Sequence, residues 1–308
     1  MKTELLVQNS IFRAAALLKA GEIVAFPTET VYGLGAPLFN REAIEKIFIA
    51  KGRPRDNPLI VHLAHIEQAE EIAINIPSSF YILAKAFWPG PLTLIVTKHP
   101  NVPSTVSAGL ETIALRLPAH PIARSLIEEV GEPLVAPSAN LSGKPSSTTA
   151  GHVMEDFEGK IAAVLDGGAC QIGIESTVLD LREEKRPTLL RPGSITREEI
   201  EAVLGYEVAL FSKETSTPCP SPGMRYRHYA PKATVLLFSH LEELLGHVQL
   251  KPYGKCLVLS KQKLEGAFDW MPLSTQMLYH SLRLSDAKGC SEILVLSDEE
   301  DVALMDRL

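Results

Sequence analysis

Residues 212–223 read Ser-Lys-Glu-Thr-Ser-Thr-Pro-Cys-Pro-Ser-Pro-Gly, and no other stretch constrains the fold as much. Proline at 218, 220 and 222 removes backbone donors and fixes φ, which bars both a helix and a central strand there. The 308-residue chain is therefore expected to divide into a first domain at 1–211, a linker at 212–232 and a second domain at 233–308. Two units also agree with a usual domain size of roughly 150 residues.

In the first part, short apolar runs and amphipathic stretches mix without strict alternation. Periodicity predicts helices at 10–20, 40–51, 79–88, 121–130 and 196–204. It predicts strands at 22–26, 59–63, 92–97, 112–117, 134–136, 161–166, 177–181 and 187–191. Ser10 and Asn40 stand where N-caps are expected, and Gly21 and Gly52 where helices stop. The stretch Pro27–Gly35 reads as a loop. The pattern is that of an α/β domain with a mixed sheet. Beyond the linker, strands at 235–238, 256–259 and 293–296 alternate with helices at 241–248, 275–284 and 299–308, which predicts a small, Rossmann-like parallel α/β domain.

Apolar residues are 45% and charged residues 22% of the chain, which excludes a disordered or collagen-like protein. Up to residue 211 there are 19 basic and 25 acidic residues, a net charge of −6, so a broad nucleic-acid surface is disfavoured and any basic site must be local. Cys170, Cys219, Cys256 and Cys290 form no C-x-x-C pair, which fits a reducing compartment. No apolar run approaches the roughly 20 residues a bilayer needs. A cytoplasmic chain with no membrane partner is expected.

A Walker loop, a complete dinucleotide fingerprint, a G-x-S-x-G elbow and an H-E-x-x-H pair are all missing. Four constellations remain. Lys51-Gly52-Arg53-Pro54-Arg55 places three cations at a helix C-terminus. They could simply complement the helix dipole, or form a phosphate site in which Arg53 supplies a fork and Lys51 a point charge. Pro137-Ser138-Ala139-Asn140 follows a short strand; a continuing strand would turn Ser138 and Asn140 to one side, and a capped turn is the other reading. Pro27–Gly35 combines hydroxyls, a carboxylate, a phenol and glycines. Gly223-Met224-Arg225-Tyr226-Arg227-His228-Tyr229 puts cations and aromatics in a linker, either as an interdomain clamp or as groups that stack on a base and pair with phosphates.

The order of these stretches resembles the YrdC-like threonylcarbamoyl-adenylate synthase family in its long, two-domain form. Lys51-x-Arg53 with Ser138-x-Asn140 resembles that family's nucleotide-binding tetrad, and Pro222–Pro231 its interdomain segment. The resemblance implies a YrdC-like mixed twisted sheet with a large cleft. It implies an enzyme, a nucleotidyltransferase, that joins L-threonine, bicarbonate and ATP into threonylcarbamoyl-AMP and pyrophosphate, the first step of making threonylcarbamoyladenosine in tRNA. ATP is then a substrate, with magnesium held mainly by its phosphates, and a separate tRNA threonylcarbamoyl transferase takes the product. Direct contact with tRNA is left open.

Carried onto this sequence, the resemblance makes Lys51 and Arg53 catalytic. It assigns Lys51, Arg53, Asn57, Thr112, Asn140, Ser146, Arg191 and Tyr226 to ATP, and Thr30, His62, Arg116, Ser138 and Ser176 to threonine. The linker's composition, and not the resemblance, further suggests that residues 219–231, with Arg225, Tyr226, Arg227 and His228, fold back as a gate over the cleft. No protein nucleophile is required, in keeping with the missing triad, because orientation and charge compensation dominate such transfers. Two other readings stay open at this point: an RNA-binding module of the same fold without ATP turnover, and a carbamoyl-transfer domain of a larger maturation enzyme. The second would bring zinc-finger cysteines, which this chain lacks.

Overall fold

The computed structural model describes residues 2–183, 185–211, 230–249, 256–266, 268–297 and 301–308. Among them, the first part contributes β1 (Glu4–Leu6), β2 (Val24–Phe26), β3 (Gly33–Pro37), β4 (Ile60–His62), β5 (Ala73–Ile74), β6 (Leu92–Lys98), β7 (Thr112–Arg116), β8 (Leu134–Val135), β9 (Ala163–Leu165), β10 (Thr177–Asp180), β11 (Thr188–Arg191) and β12 (Ala209–Leu210). They form one mixed sheet in the order β1-β9-β2-β3-β8-β4-β7-β6-β10-β11-β12, with β5 beside β6. The helices are α1 (Ile11–Lys19), α2 (Arg41–Lys51), α3 (Gln68–Ile72), α4 (Ser78–Phe87), α5 (Ser104–Ser107), α6 (Pro121–Val130), α7 (Ala150–Phe157) and α8 (Arg197–Leu204).

Strand periodicity divides the core in two. Along β2, Ala25 packs with the apolar faces of α2, α4 and α7, whereas Val24 and Phe26 pack with α1 and α6 on the opposite face. β9 alternates the same way, Val164 against Ala163 and Leu165, as side chains of period two must. The sheet is thus covered by helices on both faces.

Local rules explain most element ends. The Asn40 side chain accepts the Ala43 amide and starts α2, and Gly52 ends it at φ 61°, a left-handed conformation that glycine adopts without strain. Thr196 and Glu199 close a capping box on α8. Three expectations change. Ser10 makes no side-chain cap, because a short 3-10 turn over Gln8–Ser10 leads into α1. Gly33–Pro37 is a buried strand and not a loop. It is glycine-rich because a Cβ on Gly35 would lie 2.8 Å from the Phe26 ring. The final helix is only Val302–Met305, capped by Asp301.

The second domain comprises β13 (Thr234–Phe238), α9 (Leu241–Gln249), β14 (Cys256–Ser260), β15 (Asp269–Pro272), α10 (Thr275–Lys288), β16 (Glu292–Leu296) and α11 (Val302–Met305). Its sheet, β13-β16-β14-β15, is parallel throughout, as the alternation predicts; β15 is additional. Val31 and Ile174 of the first domain join the second domain's core around Leu278, Tyr279 and Leu282. No helix among the described residues is long and apolar enough to cross a membrane.

Candidate active site

A cleft open to solvent lies where the β2–β3 loop, the end of α2, β4, β7, the segment after β8 and the approach to β10 converge. Lys51, Arg53, Thr30, His62, Arg116, Ser138, Asn140, Ser176 and Arg191 all line it, so residues spread over 160 positions of sequence meet at one place.

The cationic end is built on the last turn of α2. Lys51 is buried, and its Nζ donates to the carbonyls of Ser138, at 2.5 Å, and Asn140. Burial, and then the neighbouring Arg53, push its pKa well below the ordinary ammonium range. Arg53 Nη2 donates to the carbonyls of Pro58 (2.9 Å) and Asn57 (3.3 Å). Asn57 is buried behind the lining and meets the site through that carbonyl.

Ser138 and Asn140 depart from expectation. β8 ends at Val135, and Ser138 keeps only an isolated bridge to Gly33. The two side chains therefore turn on each other, Ser138 Oγ donating to Asn140 Oδ1 at 2.6 Å. Asn140 Nδ2 donates to the carbonyls of Leu141 and Lys144. Its amide is a fastener of the loop, and the main chain it fixes is what holds Lys51.

At the opposite end, β4 and β7 run parallel and place His62 directly beside Arg116. Arg116 Nη1 donates to Thr30 Oγ1 at 2.8 Å, and Nη2 lies 2.7 Å from Glu29 Oε1. Burial raises the Glu29 pKa, but the adjacent guanidinium outweighs it and keeps the carboxylate below its usual value. Burial, and next Arg116, push His62 down to about 3, so its imidazole is neutral. Its Nδ1 is buried without a hydrogen-bond partner. Ser176 Oγ pairs with Thr93 Oγ1 at 2.7 Å and accepts from Arg191 Nη2 at 3.2 Å, while Arg191 Nε donates to the Ser176 carbonyl.

Besides Asn57, two more assignments fall outside the lining. Thr112 begins β7 four residues before Arg116, roughly 13 Å along a strand, and the cleft stops short of it. Ser146 sits behind the wall, where its hydroxyl donates to Glu175 Oε1 at 2.5 Å. Arg225, Tyr226, Arg227 and His228 lie outside the described residues. The flanking positions are fixed: the Phe211 amide donates to the Leu189 carbonyl, and the Ala230 amide to the carbonyl of Gly143 in the cleft lining. Glu29 and Glu175 were not singled out by sequence. Glu29 stands in the Thr-Glu-Thr stretch after β2, and Glu175 directly precedes Ser176.

Comparison with known proteins decides the family. The Sua5/YciO/YrdC family, described as telomere recombination, matches residues 16–193. The threonylcarbamoyl-AMP synthase C-terminal domain matches residues 195–308. The chain belongs to the Sua5/YciO/YrdC family, in its two-domain form. It is 46% identical to the threonylcarbamoyl-AMP synthase of Pyrococcus abyssi over 96% of this chain and 92% of that protein. It is 53% identical to the Bacillus subtilis threonylcarbamoyl-AMP synthase over 77% of this chain and 69% of that protein. The crystal structure of P. abyssi Sua5 complexed with L-threonine superposes with a TM-score of 0.92 at 42% identity, covering 100% of this chain and 96% of that one.

Proposed function

We propose that this Sua5/YciO/YrdC-family chain condenses L-threonine, bicarbonate and ATP into threonylcarbamoyl-AMP, with release of pyrophosphate. One observation carries the reading: a single cleft joins the Lys51–Arg53 end to the Thr30–His62–Arg116–Ser176 end. Relatives named for this activity, and one solved with L-threonine, support it.

The threonine amine attacks the carbon of bicarbonate, water leaves, and a carbamate forms. A carbamate oxygen then attacks the α-phosphorus of ATP, and the bond to pyrophosphate breaks. No side-chain nucleophile takes part. Arg53 and Lys51 offset the phosphate charge, and they act most strongly away from bulk water. Arg116 faces the threonine carboxylate, with Thr30 and Ser176 as hydroxyl partners and His62 as a neutral wall. This geometry holds the three reactants in one orientation. Glu175, the carboxylate in the lining, is engaged by Ser146 on one oxygen and by Tyr279 and Arg307 on the other. Magnesium would therefore be carried by the phosphates, whose charge it would help to neutralise. The product suits a separate transferase acting on tRNA. Ala230 donates its amide to the carbonyl of Gly143 in the cleft lining, which supports assigning Tyr226 and its neighbours to the nucleotide; trypsin cleavage after Arg225 or Arg227 then slows when ATP and threonine are present.

The deciding assay is pyrophosphate release with ATP, bicarbonate and each amino acid in turn. Threonine-dependent release with an adenylated product is expected. Salt-dependent RNA binding with no ATP turnover would replace the reading with an RNA-binding module.

A further inference from the structure

Behind the Ser176 side of the cleft, the second domain reaches into the first. Glu175 is buried and lines the cleft. Tyr279 Oη, from α10, donates to its Oε2 at 2.7 Å. Arg307, one residue from the chain's last position and with no exposed side-chain surface, donates from Nε to the same oxygen at 3.0 Å. The other arm of that guanidinium, Nη2, donates to the Pro192 carbonyl at 3.0 Å. Pro192 follows Arg191, which in turn holds both the hydroxyl and the carbonyl of Ser176. One side chain thus ties together the two backbone segments that frame this corner.

The contact is closely packed. Gly173 has φ +84°, and a Cβ there would stand 2.4 Å from the Gln276 Cα, so the loop before Glu175 lies directly against α10. Arg283 of α10 also donates to the Pro145 carbonyl at 2.7 Å and pairs with Asp156 at 2.8 Å. Asp156 Oδ2 accepts the Leu141 amide, inside the loop that holds Lys51. Burial raises the Glu175 pKa, but Arg307 and then Arg191 outweigh it and keep the group charged.

We propose that Arg307 and Tyr279 of the second domain are positioning residues for the cleft: by fixing Glu175 and the Pro192 carbonyl, they set Ser176 and Arg191 for substrate. The proposal rests on the reading of the cleft as a threonine and ATP site. The second domain then forms the back of the active site, and its removal disorganises the threonine corner.

The test uses the full-length chain with Tyr279→Phe, which removes only a hydroxyl, and with Arg307→Ala and Arg307→Lys. L-threonine binding is measured by calorimetry, with KM and kcat for threonine and the thermal midpoint alongside. Hydrogen bonds to charged groups justify expecting a rise of roughly 10-fold in the threonine Kd and KM for Tyr279→Phe, and a larger one for Arg307→Ala. Arg307→Lys falls between, because an ammonium cannot span both acceptors as a fork does. A merely structural role would reduce the active fraction, lowering apparent kcat while leaving Kd and KM unchanged, and that result overturns the proposal. If Arg307→Ala fails to fold, Tyr279→Phe decides. Failure of the wild-type chain to bind L-threonine would instead overturn the reading of the cleft.

Discussion

Glu29 and Arg116 form a buried ion pair: Oε1 and Nη2 are 2.7 Å apart, and the two side chains are only 6% and 4% exposed. The guanidinium expected to meet a threonine carboxylate therefore already has a carboxylate at its side, and a second arm on Thr30. The pair fixes the plane of the guanidinium before substrate arrives.

Removing one partner of such a pair leaves the other charge buried and uncompensated, a loss of about 3 kcal/mol or more. Glu29→Gln keeps the shape and removes the charge. It is expected to lower the unfolding free energy by that order, read as a lower urea midpoint at an unchanged denaturant slope. A wild-type midpoint would mean that solvent, and not Glu29, balances Arg116.

Lys51 and Arg53 separate on substitution. Arg53 donates to the nearby carbonyls of 57 and 58, within its own loop, and Arg53→Ala should fold and release pyrophosphate at least ~100-fold more slowly. Lys51 instead stitches α2 to the loop at 138–140. Lys51→Ala leaves the buried Asn140 carbonyl and the part-buried Ser138 carbonyl without that donor and should cost about 1–3 kcal/mol of stability as well as turnover. Pyrophosphate kinetics and denaturant titration on both variants check this; near wild-type turnover in both would remove the phosphate role.

Legibility followed the range of the interactions. α2 was readable because its cap, its apolar spacing and its terminal glycine are local, and each is found in place. β3 was not, because Gly33-Leu34-Gly35 has poor intrinsic strand preference and is a strand only where the Phe26 ring needs the space. Lys51, Arg53 and Ser138 were marked by short motifs, Ser176 by the family resemblance, and all four line the cleft. Glu175 was hidden, because the residue that gives it meaning, Arg307, lies 132 positions away. Ser138 and Asn140 were found for one reason and act through another: the strand that would have turned both outward stops too early.

Amino-acid choice should follow hydroxyls. Thr30, Ser176 and the buried Nδ1 of His62 lie at one end of the cleft. Valine would leave such groups unpaired, and sites built to bond a hydroxyl reject the analogue lacking one by on the order of 10⁴-fold. Serine loses only a methyl and should be rejected less severely. The ratio of kcat/KM values for threonine, serine and valine measures this, and comparable values for threonine and valine would refute it.

His62 makes stability fall in acid. Its ordinary value is 6.5, and burial first, then Arg116, lower it to about 3, with Glu29 opposing. Below about pH 6.5 the unfolded chain takes up a proton that the folded chain refuses, so stability present at neutral pH is lost as the pH drops toward 3. One such group gives a slope of about 1.4 kcal/mol per pH unit, or about 2 kcal/mol between about pH 7 and about pH 5. His152, lowered to about 4 by burial and by Arg283, acts in the same direction. It stacks on His280 of the second domain, ring centroids 5.4 Å apart, so acid also strains the domain contact. Urea midpoints of wild type and His62→Gln at the two pH values separate the contributions. The variant should lose about 2 kcal/mol less than wild type on acidification. Equal losses in the two proteins would show that His62 takes up its proton while still in the folded cleft.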